Sequence, residues 1–381
     1  MTAKHAAALD IIKRCIGEKG IWASTDRYED TCWTRDACLT VIPWLLENAS
    51  DKKDSDIRIV VTHLVNIQQR QLPNGKVPIL FLDNAERFVK KKRDKFALTG
   101  KPSFMLKRYE EKSLEDLTPH TRDSELLYII AVSSVLKAVP KLECGEILKK
   151  SAERALEYVE KFILGENGLV MGADWRDTRE DLNDKCVLTN GCLLKEVYRV
   201  MGREEKEGKT VENLRKFWNG AYFDDYVGNS CFDVLGNALA ILYDVASPGQ
   251  MESIFTHACG LVTPFGIKMT EVFLPALSEK EQLIMEKDRA VVWPFVSGFM
   301  LFAMVQKGGR STKWFEVAGK EFAKWCLLDG FYEWYSVSGG EGFGSLNQVW
   351  SAAMFLRLSR VLHLGEETYE HGAAASAEAS V

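Results

Sequence analysis

Carboxylates set among tryptophans are the residues of this chain whose types and spacing point to chemistry. Asp30, Asp36, Asp123, Asp174, Asp177, Asp233, Glu333 and Glu341 all have aromatic and basic neighbours in sequence. Cleavage of a glycosidic bond needs one protonated carboxyl beside the leaving oxygen and a second that activates water or attacks directly. Trp22, Trp33, Trp175, Trp293, Trp334 and Trp350 offer apolar platforms for the C–H faces of a sugar ring, while Asp, Asn and Arg suit its hydroxyls. Two segments are the densest. In Ala173-Asp174-Trp175-Arg176-Asp177 desolvation against the indole would raise a carboxyl's pKa, as a general acid requires, and pairing with Arg176 or Arg179 would lower it. Phe331-Tyr332-Glu333-Trp334-Tyr335 is followed by Gly339-Gly340-Glu341-Gly342-Phe343-Gly344. These glycines do not match G-x-G-x-x-G and no strand is expected before them, so they read as a tight loop and not as a dinucleotide cradle.

Other chemistries find little support. The six histidines never form His-Glu-x-x-His and the nine scattered cysteines never form Cys-x-x-Cys, so no metal site is expected. An odd, dispersed cysteine set is also not the framework of a small secreted domain. With 381 residues, 46% hydrophobic, 27% charged and a net charge of −5, the chain is of ordinary globular type. No apolar run approaches the roughly 18–20 residues of a membrane span. Lys4, Asp10, Lys13 and Arg14 occupy the place of a signal peptide's apolar region, so a cytoplasmic protein without a membrane partner is expected.

The elements that must position these carboxylates are helices. Apolar residues recur at helical spacing and β-branched alternation is rare, which predicts an all-α protein with helices over 3–16, 36–48, 55–71, 122–138, 144–164, 187–202, 209–220, 231–245, 249–258, 290–306, 312–328 and 345–362. Two kinds of link alternate between them. Asn48–Ser55, Val139–Gly145, Met201–Thr210, Ala246–Gln250 and Gln306–Thr312 are short, charged or Gly/Pro-marked turns. The other links (YEDTCWTRD, LPNGKVP to TPHTRDS, GADWRDTRED, YFDDYVGNSCFD, EKDRAVVWP and FYEWYSVSGGEGFGS) concentrate Trp, Tyr, Arg and carboxylates. If consecutive helices run antiparallel, the six rich links meet at one end, which suggests an (α/α)6 barrel with a chemical rim. An open helical solenoid would show a fixed repeat, and none is found.

The motifs, in order, resemble those of (α/α)6 glycoside hydrolases: Trp33-Thr34-Arg35-Asp36, Asp123-Ser124-Glu125-Leu126-Leu127, Trp175-Arg176-Asp177, Phe232-Asp233-Val234-Leu235-Gly236-Asn237, Val292-Trp293-Pro294, and Glu333-Trp334-Tyr335 to Trp350-Ser351-Ala352-Ala353. The nearest are the alkaline/neutral invertases and the amylo-α-1,6-glucosidase part of debranching enzymes, over about residues 20–362. The resemblance implies an inverting mechanism with Asp177 as general acid and Glu333 as general base, and Asp36, Asp123 and Asp233 on sugar hydroxyls. Trp33, Arg35, His120, Trp175, Asn190, Asn237, Trp293, Trp334 and Gln348 complete the expected substrate-binding set. Two departures from the invertases leave the sugar open: Leu188-Thr189-Asn190-Gly191-Cys192 replaces their Pro-Leu-Glu-Ile-Gln, and Leu127-Tyr128 replaces a double Trp.

The expectation is therefore one catalytic domain over 1–365, a polar, disordered tail over 366–381, and cofactor-free hydrolysis of a small α-linked sugar of the sucrose or glucoside kind. A basic insertion around 84–118 is expected to act as a mobile lid, since residues 87–112 hold ten Lys or Arg against three Asp or Glu. That single basic run on an acidic chain, without a base-reading module, does not call for nucleic acid. The rival readings are a sugar epimerase or isomerase, which would need a base such as histidine, with His120 the one candidate on the rim, and a catalytically silent carbohydrate-binding scaffold. A homo-oligomer is left open.

Overall fold

Six of the helices are apolar on almost every side, and a helix of that kind must be surrounded by others. The structure, a computed structural model, describes residues 3–48, 54–270 and 291–362. In chain order its helices are α1 (Ala3–Arg14), α2 (Thr34–Asp36, the π-helical Ala37–Val41 and Ile42–Asn48), α3 (Asp54–Arg70), α4 (Ala85–Thr99), α5 (Phe104–Glu110), α6 (Ser124–Ala138), α7 (Gly145–Tyr158, ending in a π-helical Val159–Ile163), α8 (Leu188–Val200), α9 (Glu204–Leu214), α10 (Val234–Leu242), α11 (Pro248–Cys259), α12 (Pro294–Gly308), α13 (Lys313–Leu327) and α14 (Val349–Val361).

Helices α2, α6, α8, α10, α12 and α14 form a closed inner ring: each packs on the next, and α14 returns to α2. Amphipathic helices lie outside, α1 on α14, α3 on α2 and α6, α7 on α6, α9 on α8, α11 on α10 and α13 on α12. This is an (α/α)6 barrel. One hydrophobic core runs from Ala8 to Leu362. Among the described residues no helix is long and apolar enough to cross a membrane.

All six inner helices start at the same class of link, the rich one, so the rim is built from helix N-termini. Asp233 caps α10 by accepting from the Gly236 N–H at 2.7 Å, and Pro294 at the first position of α12 lacks the donor that a first turn cannot satisfy. Short antiparallel strands lace the rim: β1 (Thr31–Trp33) with β2 (Leu80–Leu82), β3 (Asp224–Tyr226) with β4 (Asn229–Phe232), β5 (Val262–Thr263) with β6 (Gly266–Ile267), and β7 (Val291–Val292) with β8 (Trp334–Ser336), which also pairs with β9 (Gly342–Phe343).

Three expectations need correction. The supposed turn Met201–Thr210 is largely helix, because Glu204, Glu205 and Glu207 favour the positive N-terminal end of α9. The helices expected over 290–306 and 345–362 start later, since 291–292 are strand and Gln348 is the residue before α14. The basic stretch is not a loop but two helices: Asn84 caps α4 through the Arg87 N–H, Gly100 ends it in the left-handed region, and Ser103 caps α5. Phe88 anchors α4 in a second small core with Trp33, Leu80, Leu114 and Leu117. The expected tail lies outside the described residues.

Candidate active site

Five of the six rich links line one cavity of about 560 Å³ on the rim. Tyr28 and Trp33 come from the first, Leu117 and Thr118 with the two insertion helices from the second, Trp175 to Arg179 from the third, Trp293 from the fifth, and Glu333 and Trp334 from the sixth. The fourth link, between β3 and α10, stands behind the wall and acts through Arg176.

Arg176 is buried and fixes the loop that carries Asp177. Its guanidinium donates to Asp174 at 2.7 and 2.8 Å and to Asp225 at 2.7 and 2.8 Å, and lies 3.6 Å from Asp233. Burial opposes the charge on Asp174, but Arg176 wins and holds that carboxyl below its usual range; burial raises Asp233 despite Arg176. Asn190 adds neutral support, donating to the Gly172 and Ala173 carbonyls at 3.1 Å each. Arg179 pairs with Asp181, so neither arginine of this loop takes Asp177.

Asp177 instead meets Arg35, 3.4 Å from Nη1, and its side chain remains 24% exposed in the cavity. The same guanidinium grips Asp123 through Nε at 2.5 Å and Nη2 at 3.3 Å. Asp123 is 1% exposed and outside the cavity lining. Two carboxylates thus share one arginine, and only Asp177 is presented to a substrate.

Glu333 sits across the rim at the start of β8. Tyr28 Oη donates to its Oε1 at 3.3 Å, the Ser345 N–H to its Oε2 at 3.0 Å, and Arg27 lies 3.7 Å away. Burial nevertheless raises its proton affinity, and the charge of Asp177 adds to the effect. Gly344 has φ = 77°, and a Cβ there would collide with the Glu333 carboxylate, so the glycine-rich turn shapes this position directly. Asp36, just before the π-helical turn of α2, accepts from Gln348 Nε2 at 3.0 Å and is pushed up to about 8 by burial.

Trp175 meets Trp293 edge-on with centroids 5.1 Å apart, and Trp334 stacks on Phe343 at 4.6 Å. Among the described residues, the buried indole N–H groups of Trp33 and Trp175 have no acceptor. Such a cavity, with aromatic walls and two carboxylates, suits a polyol.

The expected residues therefore divide. Asp177, Glu333, Trp33, Trp175, Trp293 and Trp334 line the cavity. Arg35, Asp36, Asp123 and Gln348 lie beneath them, joined by the contacts above. Four expected sugar binders are placed elsewhere. Asn190 and Asp233 hold the acid loop and a helix start, and Asn237 clamps the Phe223 backbone at 2.8 and 3.0 Å. His120 is exposed off the cavity, and its contribution is a carbonyl accepting from the Ala173 N–H. Sequence reading missed Arg27, Tyr28 and Asp225; the only signal was that Tyr28 and Asp225 lie in rich links and Arg27 immediately precedes the first of them. Among the described residues no group of three His, Cys, Asp or Glu is arranged to hold a metal ion.

No protein-family profile matches the chain, and no curated protein matches it. Solved structures do match. The GH63 mannosylglycerate hydrolase from Thermus thermophilus, in complex with Tris and D-glycerate, is 13% identical with a TM-score of 0.60, covering 93% of this chain and 99% of that one. The same hydrolase with glucose gives 0.62 at 12% identity over 92% and 98%. A wild-type glycosidase gives 0.59 at 12% over 95% and 97%. The fold is the six-hairpin glycosidase fold. At these identities the likeness is one of architecture, and it extends over nearly the whole chain.

Proposed function

We propose that this protein is an inverting glycoside hydrolase acting on a small α-linked glycoside. The observation that carries the reading is the presence of two carboxylates, Asp177 and Glu333, among the lining of one tryptophan-walled cavity on a glycosidase fold. Asp177 donates a proton to the leaving oxygen, while Glu333, whose raised proton affinity makes it a better base than a surface glutamate, takes one from water. Tyr28 and the Ser345 N–H keep the Glu333 carboxylate aimed, and Arg35 holds Asp177 against the buried Asp123. Inversion requires the two carboxyls to stand about 6.5–9.5 Å apart with water between them.

The contact between Arg35 and Asp177 supports a second assignment within the same class, with Glu333 as acid and Asp177 as base, because a neighbouring cation favours the charged carboxylate. The epimerase reading is weakened by the position of His120 and by the absence of a histidine among the described residues that line the cavity. A panel of disaccharides and aryl α-glycosides, assayed for released reducing sugar and by NMR for the first-formed anomer, tests the proposal. Release of the inverted anomer supports it. Retention, or no cleavage of any glycoside, contradicts it.

A further inference from the structure

The insertion helices bring a second chemistry to the cavity. Lys92 and Lys95, three apart on one face of α4, and Lys101, just beyond Gly100, line its mouth together with Arg27. Three other cations of the same helix have carboxylate partners: Arg87 pairs with Asp30, Lys91 with Glu29 and Arg93 with Glu110, while Lys90 is exposed outside the cavity lining. The cavity-facing ones differ. Among the described residues, Lys95 and Lys101 have no carboxylate within ion-pair distance, and Lys92 Nζ donates to the Arg27 carbonyl at 3.2 Å. Burial, with the nearby Lys95 and Arg27, lowers the proton affinity of Lys92 against the weaker opposing pull of Asp30 and Glu29. The remaining cations of the lining are spoken for, Arg176 by three aspartates and Arg179 by Asp181.

Resting on the hydrolase reading above, we propose that the cavity mouth is a phosphate subsite, so that the glycoside cleaved here carries a phosphoryl group on its leaving portion. Three lysine ammoniums are point charges around a volume, and a phosphate dianion, with more charge and more oxygens than a carboxylate, gains more from them. Arg27 joins the two halves, since its guanidinium is 3.7 Å from Glu333 while its carbonyl holds Lys92. An anion on the lysines would therefore sit beside the apolar wall of Phe104, Met105 and Leu117, with the sugar deeper between the carboxylates.

Calorimetric titration of the full chain with glycerol 3-phosphate, D-glycerate and glycerol tests this independently of turnover. Glycerol 3-phosphate is expected to bind about tenfold or more tightly than D-glycerate, with affinity falling as salt rises, and glycerol not to bind measurably. The double variant K95M/K101M, at exposed positions, should weaken phosphate binding on the order of tenfold with an unchanged melting temperature. K149M/K150M, two exposed lysines of α7, should have no effect. Equal binding of D-glycerate, persistence of binding in K95M/K101M, or equal loss in K149M/K150M overturns the subsite. The two proposals fail separately: phosphate binding without cleavage of any glycoside removes only the hydrolase reading, and cleavage of neutral glycosides without phosphate binding removes only the subsite.

Discussion

The loops that present Asp177 and Glu333 solve the same problem by different means. The Asp177 loop is held by charge, with the buried Arg176 shared among Asp174, Asp225 and Asp233 and with Arg35 on the other side. The Glu333 loop is held by backbone shape: β8 pairs with both β7 and β9, Gly340 and Gly344 take positive φ, and Asp26 accepts from the Ser345 hydroxyl and the Leu346 N–H. The difference predicts opposite sensitivities. A loop fixed by buried ion pairs should collapse when one charge is removed, whereas a loop fixed by glycines should tolerate lost charge and fail when a methyl is added.

The largest effect should follow Arg176→Met. It leaves three buried carboxylates without their cation, which should cost about 3–5 kcal/mol of stability. Urea denaturation measures it, and a loss below about 1 kcal/mol, the scale of an exposed pair, would show that the cluster is not a structural clamp. Gly344→Ala should do the reverse. The Cβ displaces the Glu333 carboxylate and the left-handed backbone resists alanine, so kcat should fall on the order of tenfold or more while stability changes by about 1–2 kcal/mol. An active Gly344→Ala enzyme would mean that Glu333 is not held where its chemistry requires.

Much of this architecture was legible in the sequence, and the reason is periodicity. Helices such as α6 and α12 are apolar all round while α7 and α9 are one-sided, so the inner and outer rings differ in pattern before any contact is known. The alternation of bland and rich links marked the rim for the same reason. What spacing does not convey is where a rim side chain points. Asn190, Asp233 and Asn237 have the composition of sugar binders, yet each satisfies backbone or helix-start groups that would otherwise be buried unpaired. The insertion reads as a loop because its apolar residues are few, with Phe88 alone of α4 fully buried, and its helices depend on caps at Asn84 and Ser103.

The smallest effect concerns pH, and it probes the floor between the two loops. Asp36, ordinarily near 3.8, is pushed up to about 8, so the folded protein binds a proton there that the unfolded chain has lost. Stability from this group is full below about pH 4 and declines as pH rises toward about 8. Asp36→Asn, which keeps an acceptor for Gln348, should flatten that decline in melting temperature measured from pH 4 to 8. A parallel decline in wild type and variant would assign the effect to another group.

The central claim is that Asp177, and not the arginine-clamped Asp123, supplies the proton to the leaving oxygen. The most direct measurement compares Asp177→Asn, Asp123→Asn and Glu333→Gln on a natural-type disaccharide and on an aryl glycoside whose leaving group needs little protonation. Asp177→Asn should lose on the order of 10²-fold or more in kcat on the disaccharide and recover most of it on the aryl glycoside, while the other two lose rate on both. Selective recovery in Glu333→Gln would reverse the two roles, and selective recovery in Asp123→Asn would contradict the site as assigned.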